Sequence, residues 1–158
     1  GLVARQYGAA HLAVSDPRQS TLDLATSSWA DTPIRPDLSG QLDTAAKNDG
    51  GFDIIIEASG APAALQAAYE ICNPGGIIVQ LGTQPGDISL PVNLVMQKEL
   101  TLRGSFRFAH VFAQALDLLA SRRLDLQPLI TNRFAFDDLV EGIETATNPS
   151  SIKVVIDY

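Results

Sequence analysis

Asp16 is the side chain whose type and place most directly suggest chemistry in this sequence. It closes the short apolar run HLAVSD, downstream of Gly1 and Gly8. A carboxylate at the carboxyl end of a strand can accept hydrogen bonds from both hydroxyls of an adenosine ribose. Its charge also repels a 2′-phosphate, so Asp16 favours NAD over NADP; Arg18 nearby weakens that preference without reversing it. The competing reading is that Asp16-Pro17 only starts a turn.

Three further stretches read as strand ends that could face a flat ligand: Ala58-Ser59-Gly60, Leu81-Gly82-Thr83 and Gly104-Ser105-Phe106-Arg107. Small residues there let backbone approach a cofactor ring, and free N–H and C=O groups can hold a carboxamide. Each glycine taken alone reads equally as turn punctuation. Glu57 interrupts an apolar strand and has to be paired or near water, because an isolated buried carboxylate is costly; a satisfied structural acid is favoured over a catalytic one. Arg107 could reach a hydroxylated or anionic substrate, or be a solvated loop arginine. His110 is a candidate for cofactor or substrate contact, His11 reads as surface, Cys72 as core, and Gly75-Gly76 as a tight turn.

The elements that must position these residues alternate between strand and helix. FDIIIEASG is apolar on both faces, as a strand covered on two sides must be, GGIIVQLG repeats that form, and in ELTLRGSF Leu100 and Leu102 alternate with polar neighbours. Leu65, Ala68, Tyr69 and Cys72 form one helical stripe, which Asn73-Pro74-Gly75 stops. Phe112, Ala115, Leu116 and Leu119 repeat that spacing before Arg122. From Ser20 to Gly51 the pattern is vague, with a short edge strand in PIRP and a modest helix in DLSGQLDTAAKNDG. After Asp125 the character changes: QPLITNRFAF is a loop and strand, Asp138 and Glu141 have capping-box spacing, Leu139, Ile143 and Ala146 stripe a short helix, and SIKVVIDY is a strand. Alternation of this kind predicts parallel strands joined by right-handed crossovers, hence an α/β fold with a doubly wound sheet.

A dinucleotide-binding unit runs strand, G-x-G-x-x-G, helix, strand, acid. Here a helix, a strand and an acid follow in order, without the loop. Gly1 and Gly8 are too close together to bracket a crossover helix of ordinary length. Gly1 is therefore expected inside the helix, and the loop upstream of it.

Composition bounds the rest. The 158 residues carry 11 Lys and Arg against 18 Asp and Glu, a net charge of −7, with 46% hydrophobic and 18% charged residues. This is a globular composition, without the basic footprint of a nucleic-acid or anionic-membrane partner. One cysteine and two histidines cannot build a four-ligand zinc site or a disulfide framework. A lone thiol, no apolar run of spanning length and no charged-then-apolar leader make the cytoplasm the expected location.

In order and spacing, GLVARQYGAAHLAVSDP, FDIIIEASG, NPGGIIVQLG, ELTLRGSFRF, PLITNRFAFDDLVEGIE and IKVVID resemble the C-terminal half of zinc-dependent medium-chain alcohol dehydrogenases. The likeness is greatest to the polyol and sugar-acid branch, sorbitol and L-idonate 5-dehydrogenases, covers nearly the whole chain and is weakest from Ser20 to Gly51. It implies NAD(P)-dependent oxidation of a secondary alcohol to a ketone, with zinc polarising the alcohol and hydride passing to the nicotinamide. It also implies that Asp16, with Arg18 beside it, meets the adenosine ribose. The backbone at Leu81, Gly82, Thr83, Ser105 and Phe106 would hold the carboxamide, with Ser59, Gly60 and Gly104 in the same cofactor-binding set, and Arg107 would lean toward substrate.

For the fold, the resemblance implies a Rossmann-type cofactor domain over residues 1–128, lacking its first strand, and a return segment of the catalytic domain over residues 129–158. The zinc ligands, the first strand and the pyrophosphate loop would lie in an N-terminal part outside these residues. The chain then holds no metal ligand and no catalytic residue, and on its own is expected to show no dehydrogenase activity and feeble NAD affinity. Its implied partners are a small polyol or sugar acid and further copies of itself, as a dimer or tetramer. Two alternatives share these motifs. An S-adenosylmethionine-dependent methyltransferase also places an acid after its second strand and often a Pro-Gly-Gly turn before a later one, but GSFR and the closing helix-strand pair speak against it. A non-catalytic nucleotide-binding relative could keep the fold and lose the metal.

Overall fold

The computed structural model describes residues 1–36, 40–48, 50–108 and 110–158. Residues 37–39 and 49, which belong to the expected DLSGQLDTAAKNDG helix region, lie outside the described residues. The chain divides into two units, residues 39–112 and residues 1–38 with 113–158.

In the unit of residues 39–112, strands β3 (Phe52–Glu57), β4 (Cys72–Gln80) and β5 (Thr101–Gly104) form a parallel sheet in that order. Helices α3 (Gln41–Asn48), α4 (Pro62–Ile71) and α5 (Val92–Gln97) connect or precede them. Pro62 suits the first turn of α4, where its missing N–H is not needed. The predicted stripe of α4 is the core: Leu65, Ala68, Tyr69 and Cys72 are buried with Ile78, and Ile55, Leu94, Val95 and Leu100 pack against them. Burial raises the Cys72 thiol pKa.

Helix α4 ends on a residue far away in sequence. The Lys98 ammonium donates to the carbonyls of Tyr69, Glu70 and Cys72 at 3.1, 2.6 and 3.0 Å, placing a cation on the negative end of the helix. Asn73-Pro74-Gly75-Gly76 follows as a bulge inside β4 rather than a turn before it. The ladder passes from Phe52↔Cys72 directly to Ile54↔Ile77, and Gly75 takes φ 75°.

The expectation that FDIIIE is covered on both faces is corrected. Ile55 packs against the core, while Ile54 and Ile56 are 61% and 52% exposed. Helix α4 and its neighbours serve one face only.

In the other unit, α1 (Leu2–Gln6), β1 (Ala13–Ser15), α2 (Gln19–Ser28) and β2 (Thr32–Ile34) come from the N-terminal stretch. Strands β1 and β2 pair in parallel, and α2 packs on them through Leu22 and Ala25, with Ile34 and Ala30 also buried. Gly1 caps α1, its carbonyl accepting from Arg5 N at 2.9 Å, rather than lying within the helix. The Arg5 guanidinium ties this region by donating to the Ala9, Ala10 and Trp29 carbonyls and to Asp31.

The C-terminal elements of this unit are β6 (Ile130–Ala135), α7 (Leu139–Ala146) and β7 (Lys153–Asp157), with β6 and β7 parallel. Two details depart from expectation. Asp138 precedes α7 without a side-chain cap bond, so the capping box does not close. The helix packs through Gly142, where a Cβ would stand 2.5 Å from Ile156 Cδ1, while Ile143 is exposed. Helix α6 (Phe112–Ala120) forms where its spacing predicts, yet Phe112, Leu116 and Leu119 are all exposed.

The alternating α/β order and parallel pairing are thus as expected. Among the described residues the strands form three ladders, β1-β2, β3-β4-β5 and β6-β7. Among the described residues no helix is long and apolar enough to cross a membrane.

Leu65 is 4% exposed at the centre of the α4 contact, and Val140 on α7 is 70% exposed. Urea denaturation of Leu65→Ala should show a loss of about 2–5 kcal/mol. Val140→Ala should stay within about 0.5 kcal/mol of the parent.

Candidate functional site

In the unit that contains β1, Asp16 follows the strand directly, its N–H donating to the Ile34 carbonyl at 3.3 Å. Its carboxylate folds over Pro17: Oδ1 accepts from Arg18 N at 2.8 Å and Arg18 Nε at 3.0 Å, and Oδ2 accepts from Arg18 Nη2 at 3.1 Å. Arg18 Nη1 donates to the Pro149 carbonyl at 3.3 Å. Asp16 therefore does make a turn, and it does so without using all its acceptor sites. Each carboxylate oxygen has two lone pairs, so one on Oδ2 stays open to a further donor such as a hydroxyl. Partial burial pushes the Asp16 carboxyl up, but the hydrogen bonds and charge of Arg18 outweigh it and hold the group below its ordinary value.

In the unit of residues 39–112, the carboxyl ends of β3, β4 and β5 lie along one edge of their sheet because the strands are parallel. Glu57, 4% exposed, closes β3. Its Oε1 accepts from Ser59 N at 2.7 Å, from Gly60 N at 3.0 Å and from the Ser59 hydroxyl. Its Oε2 accepts from Gln80 Nε2 at 2.7 Å. Gln80 Nε2 also donates to the Gly82 carbonyl. The Glu57 backbone carbonyl accepts from Leu81 N at 2.8 Å and Gly82 N at 3.0 Å. Burial raises the Glu57 carboxyl, but the bonds from Ser59, Gln80 and Gly60 prevail, holding it below the ordinary carboxylate value and charged at neutral pH.

The predicted glycines here are sterically required. Gly60 takes φ 70°, and a Cβ on it would overlap the Thr83 carbonyl oxygen; one on Gly82 would overlap Gly60 N and crowd Glu57 Oε2. Backbone meets backbone at this point, leaving N–H and C=O groups without side chains over them. The third strand end is tied in through Ser105 N, which donates to the Gln80 carbonyl at 3.0 Å. Beyond it Phe106 is 75% exposed, and Arg107 adopts φ 55° with its guanidinium 4.9 Å from the Phe106 ring centroid.

The structure thus brings Ser59, Gly60, Leu81, Gly82, Thr83, Gly104 and Ser105 to one sheet edge and places Asp16 and Arg18 in the other unit. The Ser59 hydroxyl is occupied within the turn, donating to Glu57 and accepting from Ala61 N at 3.1 Å. Gln80 is the participant that sequence reasoning missed. Its signal was a lone amide at the end of the apolar run GGIIVQLG. His11 is exposed beside β1, within 3.0 Å of Thr32 Oγ1, and His110 is exposed. Among the described residues no group of three or more His, Cys, Asp or Glu side chains could hold a metal ion.

The family model of zinc-binding dehydrogenases matches residues 1–121. The chain belongs to this family. Among curated relatives of the chain, D-xylulose reductase of Saccharomyces cerevisiae is 34% identical over 98% of this chain. Sorbitol dehydrogenase of Gallus gallus is 30% identical over 98%. The chain spans less than half the length of these curated relatives, 40% of the first and 45% of the second. The crystal structure of Escherichia coli L-idonate 5-dehydrogenase superposes with a TM-score of 0.87 at 28% identity, over 99% of this chain and 45% of that one. Two further crystal structures show the same fold at 24% identity, covering 99% of this chain and 48% of theirs. They are an Escherichia coli short chain alcohol dehydrogenase complexed with NADH, TM-score 0.90, and a Sinorhizobium meliloti zinc-binding dehydrogenase bound to NADP, TM-score 0.89. The match to the family confirms the Rossmann-like fold and the resemblance read from the sequence.

Two outcomes test the geometry. Gly82→Ala, which drives a methyl into the Gly60 backbone, should cost about 1–3 kcal/mol in urea denaturation. Gly104→Ala, with no atom within 4 Å of its Cβ, should cost less than about 0.5 kcal/mol. For Asp16, a folded pKa below its ordinary value of 3.8 means stability that is present above that value and lost as pH falls through the folded one. Thermal melts across this acid range should therefore fall more steeply for the parent than for Asp16→Asn.

Proposed function

We propose that this chain is the cofactor-binding half of an NAD(P)-linked dehydrogenase that oxidises a secondary alcohol, of the polyol or sugar-acid class, to a ketone. The observation that carries this reading is the contact of Gly60 with Gly82 and Thr83 at the carboxyl ends of β3 and β4. It leaves a side-chain-free shelf where an open parallel sheet binds its ligands. The names of the relatives, D-xylulose reductase, sorbitol dehydrogenase and L-idonate 5-dehydrogenase, support the substrate class.

On this reading each unit by itself carries groups that a dinucleotide needs. Asp16 offers the lone pair left on Oδ2 to a ribose hydroxyl. The backbone at Leu81, Gly82, Thr83, Ser105 and Phe106 is assigned to the nicotinamide carboxamide, with Ser59, Gly60 and Gly104 in the same cofactor set. Because the Leu81, Gly82 and Ser105 amides already donate to Glu57 and Gln80, it is the Leu81, Thr83 and Ser105 carbonyls that are offered there. When bound, the nicotinamide supplies the acceptor for hydride. NAD is favoured over NADP because the Asp16 charge repels a 2′-phosphate, and Arg18 engages three of its five N–H donors with Asp16 and Pro149. Arg107, beyond the shelf, is assigned to substrate. Zinc does not fit the described residues, which hold no group of three or more His, Cys, Asp or Glu side chains able to bind it. Residues 129–158 are assigned to the catalytic domain of the whole enzyme, which would work in the cytoplasm as a dimer or tetramer.

The test is a titration of the chain with NADH, followed by backbone amide chemical shifts. Shifts at residues 16, 18, 59–60, 81–83 and 104–106, weakened in Asp16→Ala, are the expected result. Shifts at the same residues with S-adenosylmethionine and none with NADH would replace the dehydrogenase reading with a methyltransferase one.

A further inference from the structure

We infer that Glu57 is a positioning residue whose single carboxylate locks the loop after β3 and the loop after β4 into one rigid shelf. The role rests on the proposed cofactor reading for its purpose, but its geometry stands alone. Oε1 gathers the Ser59 amide, the Ser59 hydroxyl and the Gly60 amide, while Oε2 holds Gln80, whose same nitrogen reaches the Gly82 carbonyl. One oxygen thus fixes the first loop and the other fixes the second.

This arrangement differs from that of a satisfied acid serving only the core. None of the five groups it organises belongs to the Leu65–Tyr69–Ile78 cluster. All of them lie at the strand ends where backbone must be held open for a ligand. Glycines without side chains would otherwise leave these loops free to rearrange, since glycine has the widest backbone freedom of any residue. Steric contact between Gly60 and Gly82 sets how closely the loops approach, and the carboxylate fixes their orientation. Charge-assisted bonds from several donors to one buried carboxylate are the stronger kind of hydrogen bond.

The two oxygens can be separated by substitution. Glu57→Ala removes both. Glu57→Gln keeps a carbonyl oxygen for Ser59 and Gly60 but sets an NH2 group against the Gln80 NH2, so only the second loop loses its hold. Native-state exchange of the Ser59 and Gly60 amides and the chemical shift of the Gln80 side-chain amide, without any ligand, read each loop separately, since the Leu81 and Gly82 amides bond the Glu57 backbone carbonyl, which both variants keep. In Glu57→Ala, exchange at residues 59 and 60 should quicken about tenfold or more, the loss expected of bonds to a charged group, and the Gln80 side-chain amide shift should move. In Glu57→Gln the Gln80 shift should move while exchange at 59 and 60 stays largely unchanged.

The amide of Ile78, in the core, is the control and should be unchanged. Equal acceleration at Ile78 would show that Glu57 serves the fold as a whole, and unchanged exchange at residues 59 and 60, or a Gln80 side-chain amide that moves in neither variant, would show that it does not hold both loops; any of these results overturns the inference. NADH-induced shifts at 81–83 should weaken in Glu57→Ala. Absence of such shifts in the parent would count against the cofactor reading, while the exchange data would still decide whether the carboxylate locks the loops.

Discussion

Gly60 and Gly82 meet where no side chain fits, and the geometry at the carboxyl ends of β3, β4 and β5 depends on that contact. A close approach of two backbones is costly unless their polar groups are satisfied. Here the satisfaction comes from one residue: the Glu57 backbone carbonyl accepts from Leu81 and Gly82, and its carboxylate collects Ser59, Gly60 and Gln80. Burying a carboxylate is expensive when it is alone and acceptable when every oxygen is hydrogen-bonded. The shelf and the buried charge therefore require each other. The glycines let the two loops come close enough for one carboxylate to serve both, and the carboxylate, through Ser59, Gly60 and Gln80, ties their orientation.

The same unit shows how narrowly its own packing extends. Helix α4 covers one face of the sheet, and its stripe of Leu65, Ala68, Tyr69 and Cys72 makes the core. Ile54 and Ile56 point away from that core and stay exposed. An apolar surface of this kind offers stabilisation that the chain does not itself collect. The chain matches less than half the length of its curated relatives, so the stability of the isolated chain rests on a small set of buried residues, of which the α4 stripe is the largest.

Legibility in the sequence followed how local the physics was. The α4 stripe was readable because one face of a 3.6-residue repeat does the packing, and the strand ends were readable because small residues interrupt apolar runs. Helix α2 was not, since QSTLDLATSS is rich in residues that favour caps and turns, and only Leu22 and Ala25 are buried. The full burial expected of FDIIIE failed because three isoleucines in a row state that a strand could be covered on both faces, not that it is. Asp138 and Glu141 had the spacing of a capping box, yet the entry to α7 through a short 3-10 turn leaves that bond unmade. Lys98 on the end of α4 and Gln80 on Glu57 were unreadable for a common reason: each acts on residues more than twenty positions away, which only the folded sheet brings close.

Asp16 and Arg18 show why residue type alone underdetermines nucleotide choice. From the sequence, an arginine close to an acid weakens the repulsion that the acid directs at a 2′-phosphate. In the folded chain Nε and Nη2 grip Asp16 and Nη1 is on the Pro149 carbonyl, which engages three of the five N–H donors of Arg18. A 2′-phosphate beside Asp16 would meet the carboxylate that those bonds hold in place, whereas an unphosphorylated ribose can donate to the lone pair left on Oδ2. On the proposed reading, the arginine that blurs the preference in the sequence sharpens it in the structure, because it holds the acid in its acceptor geometry without competing for the ligand.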